Sequence, residues 1–414
     1  MFYRRTLLDA LQSQVSRNKV RLLFGARQTG KTELFNRVVS GDSAVFYRLD
    51  EPGLRRRFER DPGSLGRELR ALGRHVRFVV IDEIQKVPGL LDEVQAVYDS
   101  ARTRFQFFLT GSSARTLRRQ SANLLPGRSH VFHLHPVCAW ESQGRPRADW
   151  PGAESGRAIQ AGRREPPLFP PQSLERTLVL GNLPGIRQEP PDTAAATLAA
   201  YVDNYLEEDV RREALARDLG AFSSFVTLAA LESGGQVNLT KLSQESGVPA
   251  STLRNFYDVL VETFVGFWLR PYTDRARKRL LTTPRFYLFD TGVRNAASGL
   301  SLDLGLRDSD APRLLEHFVA TELFSRASYR GRGCGVTFWR TVSGAEVDFV
   351  WQDRVEDIPI EVKWTARPRP EDARHVELFL NTYAPRARRG LLVCRCERPQ
   401  MLTERVMAVP WDAW

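Results

Sequence analysis

The first 142 residues alternate short apolar runs with amphipathic stretches: VRLLFGA, SAVFYRLD, HVRFVVIDEI and RFQFFLTGSS each carry a block rich in Val, Phe and Leu. Blocks of that length read as buried strands, and helical spacing of the apolar positions between them reads as crossover helices. The alternation predicts an α/β domain with a parallel sheet over residues 1–142. Over 143–172 the text becomes QGRPRADWPGAESGRAIQAGRREPPLFPPQ, crowded with Gly, Pro and Arg and without an apolar period, which predicts a flexible linker or insertion. Helical periodicity returns over 173–278. From 279 to 414, RFYLFDTG leads into strands and helices in alternation, a second α/β domain.

The boundary after the first strand carries chemistry. FGARQTGKTELF fits G-x-x-x-x-G-K-[ST], with Gly25 following the strand and Lys31-Thr32 opening a helix. Such a loop aims consecutive backbone N–H groups at phosphates, those of Gln28 and Thr29 among them, and the helix N-terminus adds partial positive charge. Gly30 permits close approach of the main chain, Lys31 reaches the β and γ phosphates of ATP, and Thr32 offers its hydroxyl to Mg²⁺. FVVIDEIQ ends a strand in two carboxylates. Asp82 is placed to hold Mg²⁺ through water and Glu83 to orient or deprotonate the attacking water. FQFFLTGSSA ends another strand in Thr110, Ser112 and Ser113, candidates for contact with the γ phosphate. Hydrolysis also needs a cation on the transferring group. Arg115, Arg118, Arg119 and Arg128 are available, and Arg128 in NLLPGRSH is the favoured one; acting in trans, it requires a homo-oligomer.

This order of phosphate loop, IDEIQ, LTGSS and a following GR resembles the prokaryotic AAA-superfamily ATPases that carry a C-terminal domain of formerly unknown function. GNLPG at 181–185, YVDNYLEEDVRR at 201–212, FYLFDTG and SGAEVDFV extend the resemblance over most of the chain, the segment around 143–172 excepted. The resemblance implies an AAA-type ATPase domain.

NLTKLSQESGVPASTLRNFYDVLVETFVGFWL reads as a helix, a turn at Gly247 and a second helix from Pro249, followed by a strand-like stretch and the basic tip RARKR. This is a helix-turn-helix pattern within a winged-helix module. Arg254 and Asn255 are the readers on its second helix, and Arg275, Arg277, Lys278 and Arg279 can grip DNA phosphate. A winged helix used only for packing or oligomerisation has the same pattern.

In the last domain LLEHFVATELF is an amphipathic helix with Glu316, VTFWRTVSGAEVDFVWQ a strand pair with Asp348, and IPIEVKW a strand with Glu361 and Lys363. The set resembles the PD-(D/E)xK, restriction-endonuclease-like fold. The resemblance implies that Asp348 and Glu361 hold a divalent metal, Mg²⁺ or Mn²⁺, while Lys363 faces the scissile phosphate or the water. A nuclease fold kept as a DNA-binding or assembly platform is its rival.

Composition changes this picture in one respect. With 60 Lys and Arg against 49 Asp and Glu, the 414-residue chain has a net charge of +11 and a sequence pI near 9.8, which favours a polyanion as partner. Cys138, Cys334, Cys394 and Cys396 form neither a disulfide framework nor a zinc pattern. No apolar run has the length of a signal core or a membrane span, so no membrane partner and a cytoplasmic location are expected. The combined expectation is a Mg²⁺-dependent ATPase that binds and remodels DNA; the resemblance of the last domain to nuclease-like folds implies branched or forked DNA, as in branch migration at a Holliday junction. The alternatives are an ATP-gated DNA-binding regulator and a protein-assembly ATPase without nuclease activity.

Overall fold

The computed structural model describes residues 3–13, 18–39, 41–100, 104–115, 125–143, 172–206, 219–272 and 283–412. The 143–172 linker, apart from its two end residues, and the basic residues Arg275, Arg277, Lys278 and Arg279 lie outside the described residues, as do Arg118 and Arg119.

The first unit is built as the apolar periodicity requires. Strands β1 (Val20–Phe24), β2 (Ala44–Arg48), β3 (Phe78–Asp82), β4 (Gln106–Gly111) and β5 (Ser129–His133) form one sheet in the order β2-β3-β4-β1-β5. Every pairing is parallel. Alternate side chains go to opposite faces. Leu22, Phe24, Val79, Ile81 and Leu109 enter one apolar core, and Leu23, Val80 and Phe108 enter another with Leu34 and Phe35 of helix α1 (Lys31–Val38). Parallel strands place all their C-terminal ends on one edge. The phosphate-loop sequence, Asp82-Glu83 and Thr110–Ser113 therefore share that edge.

The middle of the chain is helical. Helix α2 (Leu239–Ser246) is capped by Asn238, whose side chain accepts from the N–H groups of Thr240 and Lys241. Gly247 ends it at φ 69°, a left-handed value that costs glycine little. Helix α3 (Ala250–Glu262) follows, burying Leu253, Phe256, Tyr257, Val259 and Leu260.

The C-terminal unit is an eight-stranded mixed sheet flanked by α4 (Ala311–Arg330) and α5 (Arg374–Thr382). Strands β8 (Gly335–Arg340), β9 (Glu346–Gln352) and β10 (Asp357–Val362) run antiparallel in succession, and β11 (Gly390–Cys394) joins β10 in parallel. The strand expected beside the winged helix, β6 (Gly266–Pro271), is part of this sheet: it pairs with β7 (Arg285–Leu288) on one side and with β8 on the other. The hairpin thus belongs to both units.

A buried polar joint ties α4 to the first unit. Both carboxylate oxygens of Glu322 accept from the N–H of Ala139, the Arg326 guanidinium lies 4.7 Å from the Trp140 ring, and the Tyr329 hydroxyl accepts from the N–H of His135. Alongside it Arg5 pairs with Glu141 at 3.0 Å, both fully enclosed.

Burial pushes the Glu322 carboxyl up to about 8, against the opposing pull of the Ala139 N–H and Arg326. A folded-state value above the ordinary one means that this group's contribution to stability is complete below the normal glutamate range and is lost as pH rises through about 8. Melting temperature should therefore fall between pH 6 and pH 9, and Glu322→Gln should flatten that fall; equal slopes in the two proteins would show that the joint does not titrate.

Candidate nucleotide site and C-terminal carboxylate cluster

The phosphate loop spans the turn between β1 and α1. Gln28 at φ 62° and Gly30 at φ 91° supply the left-handed conformations that turn successive N–H groups inward. A Cβ on Gly25 would lie 2.3 Å from the Leu134 carbonyl oxygen, so the residue that follows β5 leaves no room for a side chain there. Lys31 lies across the loop, its ammonium donating to the carbonyls of Gly25 and Ala26 at 2.9 Å each. The Thr29 hydroxyl donates to Ala26 O, and its carbonyl accepts from Arg5 at 2.9 Å.

The acids stand opposite. Thr32 Oγ1 donates to Asp82 Oδ2 at 2.8 Å, joining the first turn of α1 to the end of β3. Thr110 donates to the other oxygen of Asp82 while accepting from the Glu83 N–H at 3.1 Å. Glu83 has φ 59°, an uncommon backbone state for a side-chain-bearing residue, and it sits at the carboxyl edge of the sheet. Its Oε2 accepts from Gln85 Nε2 at 2.6 Å and from Ser112 Oγ at 3.1 Å. Burial alone would raise its pKa, but Lys31 and the hydrogen bonds from Gln85 and Ser112 outweigh burial and hold the carboxyl below its ordinary value.

The sequence-derived residues Gly25, Gln28, Thr29, Gly30, Lys31, Thr32, Asp82, Glu83, Thr110 and Ser112 therefore converge on one edge. Arg128 does not join them. It precedes β5, whose first residue is level with Val20 at the start of β1, and its guanidinium pairs with Asp99 at 2.7 Å. That is the amino edge of the sheet, a strand length from the loop, so Arg128 cannot reach the phosphates of its own chain. Three contributors escaped the sequence reading. Gln85 fixes Glu83, Arg5 holds the loop from the N-terminal segment, and Pro184 of GNLPG lies beside Gly30, where a Cβ would meet it at 3.7 Å. Gln85 was legible as a polar residue just beyond the acids; Arg5 had no local signal.

In the C-terminal unit β9 and β10 bring Asp348 and Glu361 together. Asp348 Oδ2 accepts from the Val362 N–H at 2.8 Å, and Glu361 Oε1 pairs with Lys363 at 2.6 Å while Oε2 is buried without a hydrogen-bond partner. Glu316 on α4 accepts from Tyr287 at 2.8 Å and Arg285 at 3.2 Å. Burial, then repulsion from Asp348, lifts Glu361 to about 8 and Glu316 to about 7. Among the described residues no group of three His, Cys, Asp or Glu side chains is arranged to hold a metal ion. The expected metal pair is Asp348 and Glu361; Glu316, beside it, is engaged by Tyr287 and Arg285. On α3, Arg254 and Asn255 are exposed as expected, but Asp258 shares the exposed surface of that helix.

No helix among the described residues is long and apolar enough to cross a membrane. Residues 17–142 match the model of the AAA domain, residues 171–304 a domain of unknown function (DUF8612), and residues 312–414 another (DUF4143). Uncharacterized proteins of Mycobacterium tuberculosis and Mycobacterium bovis are each 24% identical over 413 residues, 99% of this chain and 84% of theirs. An uncharacterized protein of Haemophilus influenzae is 23% identical over 309 residues, 73% of this chain and 69% of its own. A signal-transduction ATPase with a tetratricopeptide-repeat sensor from Pyrococcus horikoshii is 10% identical, with 78% of this chain and 46% of that one covered at a TM-score of 0.22, too low to carry an inference. The AAA match, with the parallel sheet and the phosphate loop on its carboxyl edge, supports an AAA-type ATPase.

Proposed function

We propose that the chain is a Mg²⁺-dependent ATPase that binds and remodels DNA. The ATPase part rests on one observation: Lys31, Thr32, Asp82 and Glu83 stand on a single sheet edge with Thr32 bonded to Asp82. Thr32 and Asp82, a hydroxyl and a carboxylate so joined, would hold the hydrated Mg²⁺ of a nucleotide site, and that ion would supply neutralisation of phosphate charge. Lys31 leaves the loop carbonyls for the phosphates. Glu83, ionised and clamped by Gln85 and Ser112, is a weak base at neutral pH and acts by orienting water rather than by removing its proton early.

The DNA part is supported by the α2-turn-α3 pair, read as a helix-turn-helix, by exposed Arg254 and Asn255, and by the net charge of +11. Branched or forked DNA is the preferred substrate in this reading. A second reading, metal-dependent cutting at Asp348, Glu361 and Lys363, is favoured by the orphaned Glu361 Oε2, which offers a donor atom toward a cation.

Lys31→Ala should abolish ATP binding. Glu83→Gln should keep it and lower phosphate release by about 10²-fold or more; normal turnover in that variant removes Glu83 from the mechanism. Turnover by the wild-type protein should rise with one of single-stranded, duplex or four-way-junction DNA, and DNA affinity should drop steeply with salt, with a log–log slope of about −0.9 per phosphate contacted. Turnover indifferent to every DNA form favours a protein-assembly ATPase. Asp348→Ala should leave the ATPase intact and remove any Mn²⁺-dependent nicking of the same DNA. Nicking that persists places the cutting elsewhere.

A further inference from the structure

With Arg128 on the far edge of the sheet, the cation that hydrolysis requires must come from another arginine or another chain. Arg115 leaves the carboxyl edge just after Ser112 and Ser113 and is 7% exposed. Its Nη1 donates to Glu262 Oε2 at 2.6 Å, at the last residue of α3, and the neighbouring Ala114 N–H donates to the Glu262 carbonyl at 3.1 Å. Ala114 and Glu262 line a cavity of about 350 Å³ whose wall also includes Gly25 and Ala26, the start of the phosphate loop. Phe264 lines the same cavity. At φ 61° it stacks on Phe24, the residue before Gly25, with ring centroids 5.8 Å apart.

We propose that Arg115 is the catalytic arginine of this chain's own phosphate site, and that Glu262 holds it until a γ phosphate takes the place of the carboxylate. This rests on the ATPase reading above. Glu262 shares a cavity with Gly25 and Ala26 at the start of the loop, so charge added at the loop acts on the pair. A carboxylate facing the cavity behind the loop is repelled by the added negative charge, while the guanidinium is drawn to it. A γ phosphate carries more charge than a carboxylate and offers the guanidinium fork several oxygens. ADP lacks that group and leaves the ion pair in place. In the hydrolytic step the water oxygen forms the new bond to Pγ, and the bond from Pγ to the β–γ bridging oxygen breaks with its electron pair staying on ADP. The water proton ends on the phosphate product. Arg115 donates hydrogen bonds to the γ and bridging oxygens and is unchanged at the end.

The exchange also acts on α3. Glu262 is the last residue of the second helix of the helix-turn-helix, so loss of Arg115 to the nucleotide loosens that helix at the sheet edge, leaving the Ala114 N–H and the Phe24–Phe264 stack to hold it. DNA engagement by Arg254 and Asn255 would then depend on whether ATP or ADP is bound.

The test uses the full chain with fluorescent ADP and a fluorescent slowly hydrolysed ATP analogue. Arg115→Ala should lower ATP turnover by about 10³-fold and weaken the ATP analogue about tenfold relative to ADP. Glu262→Gln, which keeps the shape of the joint, should shift the preference the other way by a similar factor. Arg115→Lys should retain the fold and recover only part of the turnover. Normal turnover in Arg115→Ala overturns the proposal, as does an equal loss of affinity for both nucleotides, the mark of a purely structural joint. A wild-type protein that binds nucleotide without hydrolysing it still decides the matter through the affinity ratio. A wild type that binds neither nucleotide overturns this proposal together with the ATPase reading.

Discussion

The hydrogen bond from Thr32 to Asp82 spans the sheet from the helix after β1 to the end of β3, with β4 lying between the two strands. It can form only because β1, β4 and β3 are parallel and end at the same height. The insertion of β4 then has its own effect: Thr110 and Ser112 are delivered between the loop and the acids, where Thr110 takes one oxygen of Asp82 and Ser112 one oxygen of Glu83. A single antiparallel strand in this sheet would send one of these groups to the opposite edge. The directionality of the strands, more than any one contact, makes the site.

That dependence explains which parts were legible in the sequence. The loop from Gly25 to Thr32 is contiguous, and its backbone geometry follows from glycine positions and a helix start. Asp82, Glu83, Thr110 and Ser112 each end an apolar run, so a parallel sheet places them without further information. The position of Arg128 has the same origin, and it leaves this arginine a role only at the loop of another chain. It precedes its strand, and a residue before a parallel strand goes to the amino edge. The two helices α2 and α3 and the turn between them were local and readable from the apolar spacing and Gly247. The sharing of β6 with the C-terminal sheet was not, because the strand partner of Arg270 is Thr337 and nothing near either residue announces the pairing.

Long-range polar pairs were the hardest to foresee. Arg5 meets Glu141, Arg115 meets Glu262 and Ala139 meets Glu322 across sequence separations of 136, 147 and 183 residues. An arginine or glutamate in a solvated face and one in a buried joint look identical in the chain. Burial distinguishes them physically, since a charge withdrawn from water needs a partner within reach. In the C-terminal unit the same principle applies to Glu316, whose buried carboxylate is met by Tyr287 and Arg285.

The shared hairpin gives these joints a mechanical meaning. Glu262 ends α3 just before β6, and β6 is hydrogen-bonded into the eight-stranded sheet through β8. Over that short path the chain is helix, turn and strand, all of it packed. A displacement at the end of α3 therefore has no slack linker in which to dissipate, and the sheet bearing Asp348 and Glu361 is held to the first unit at two places, this turn and the α4 joint.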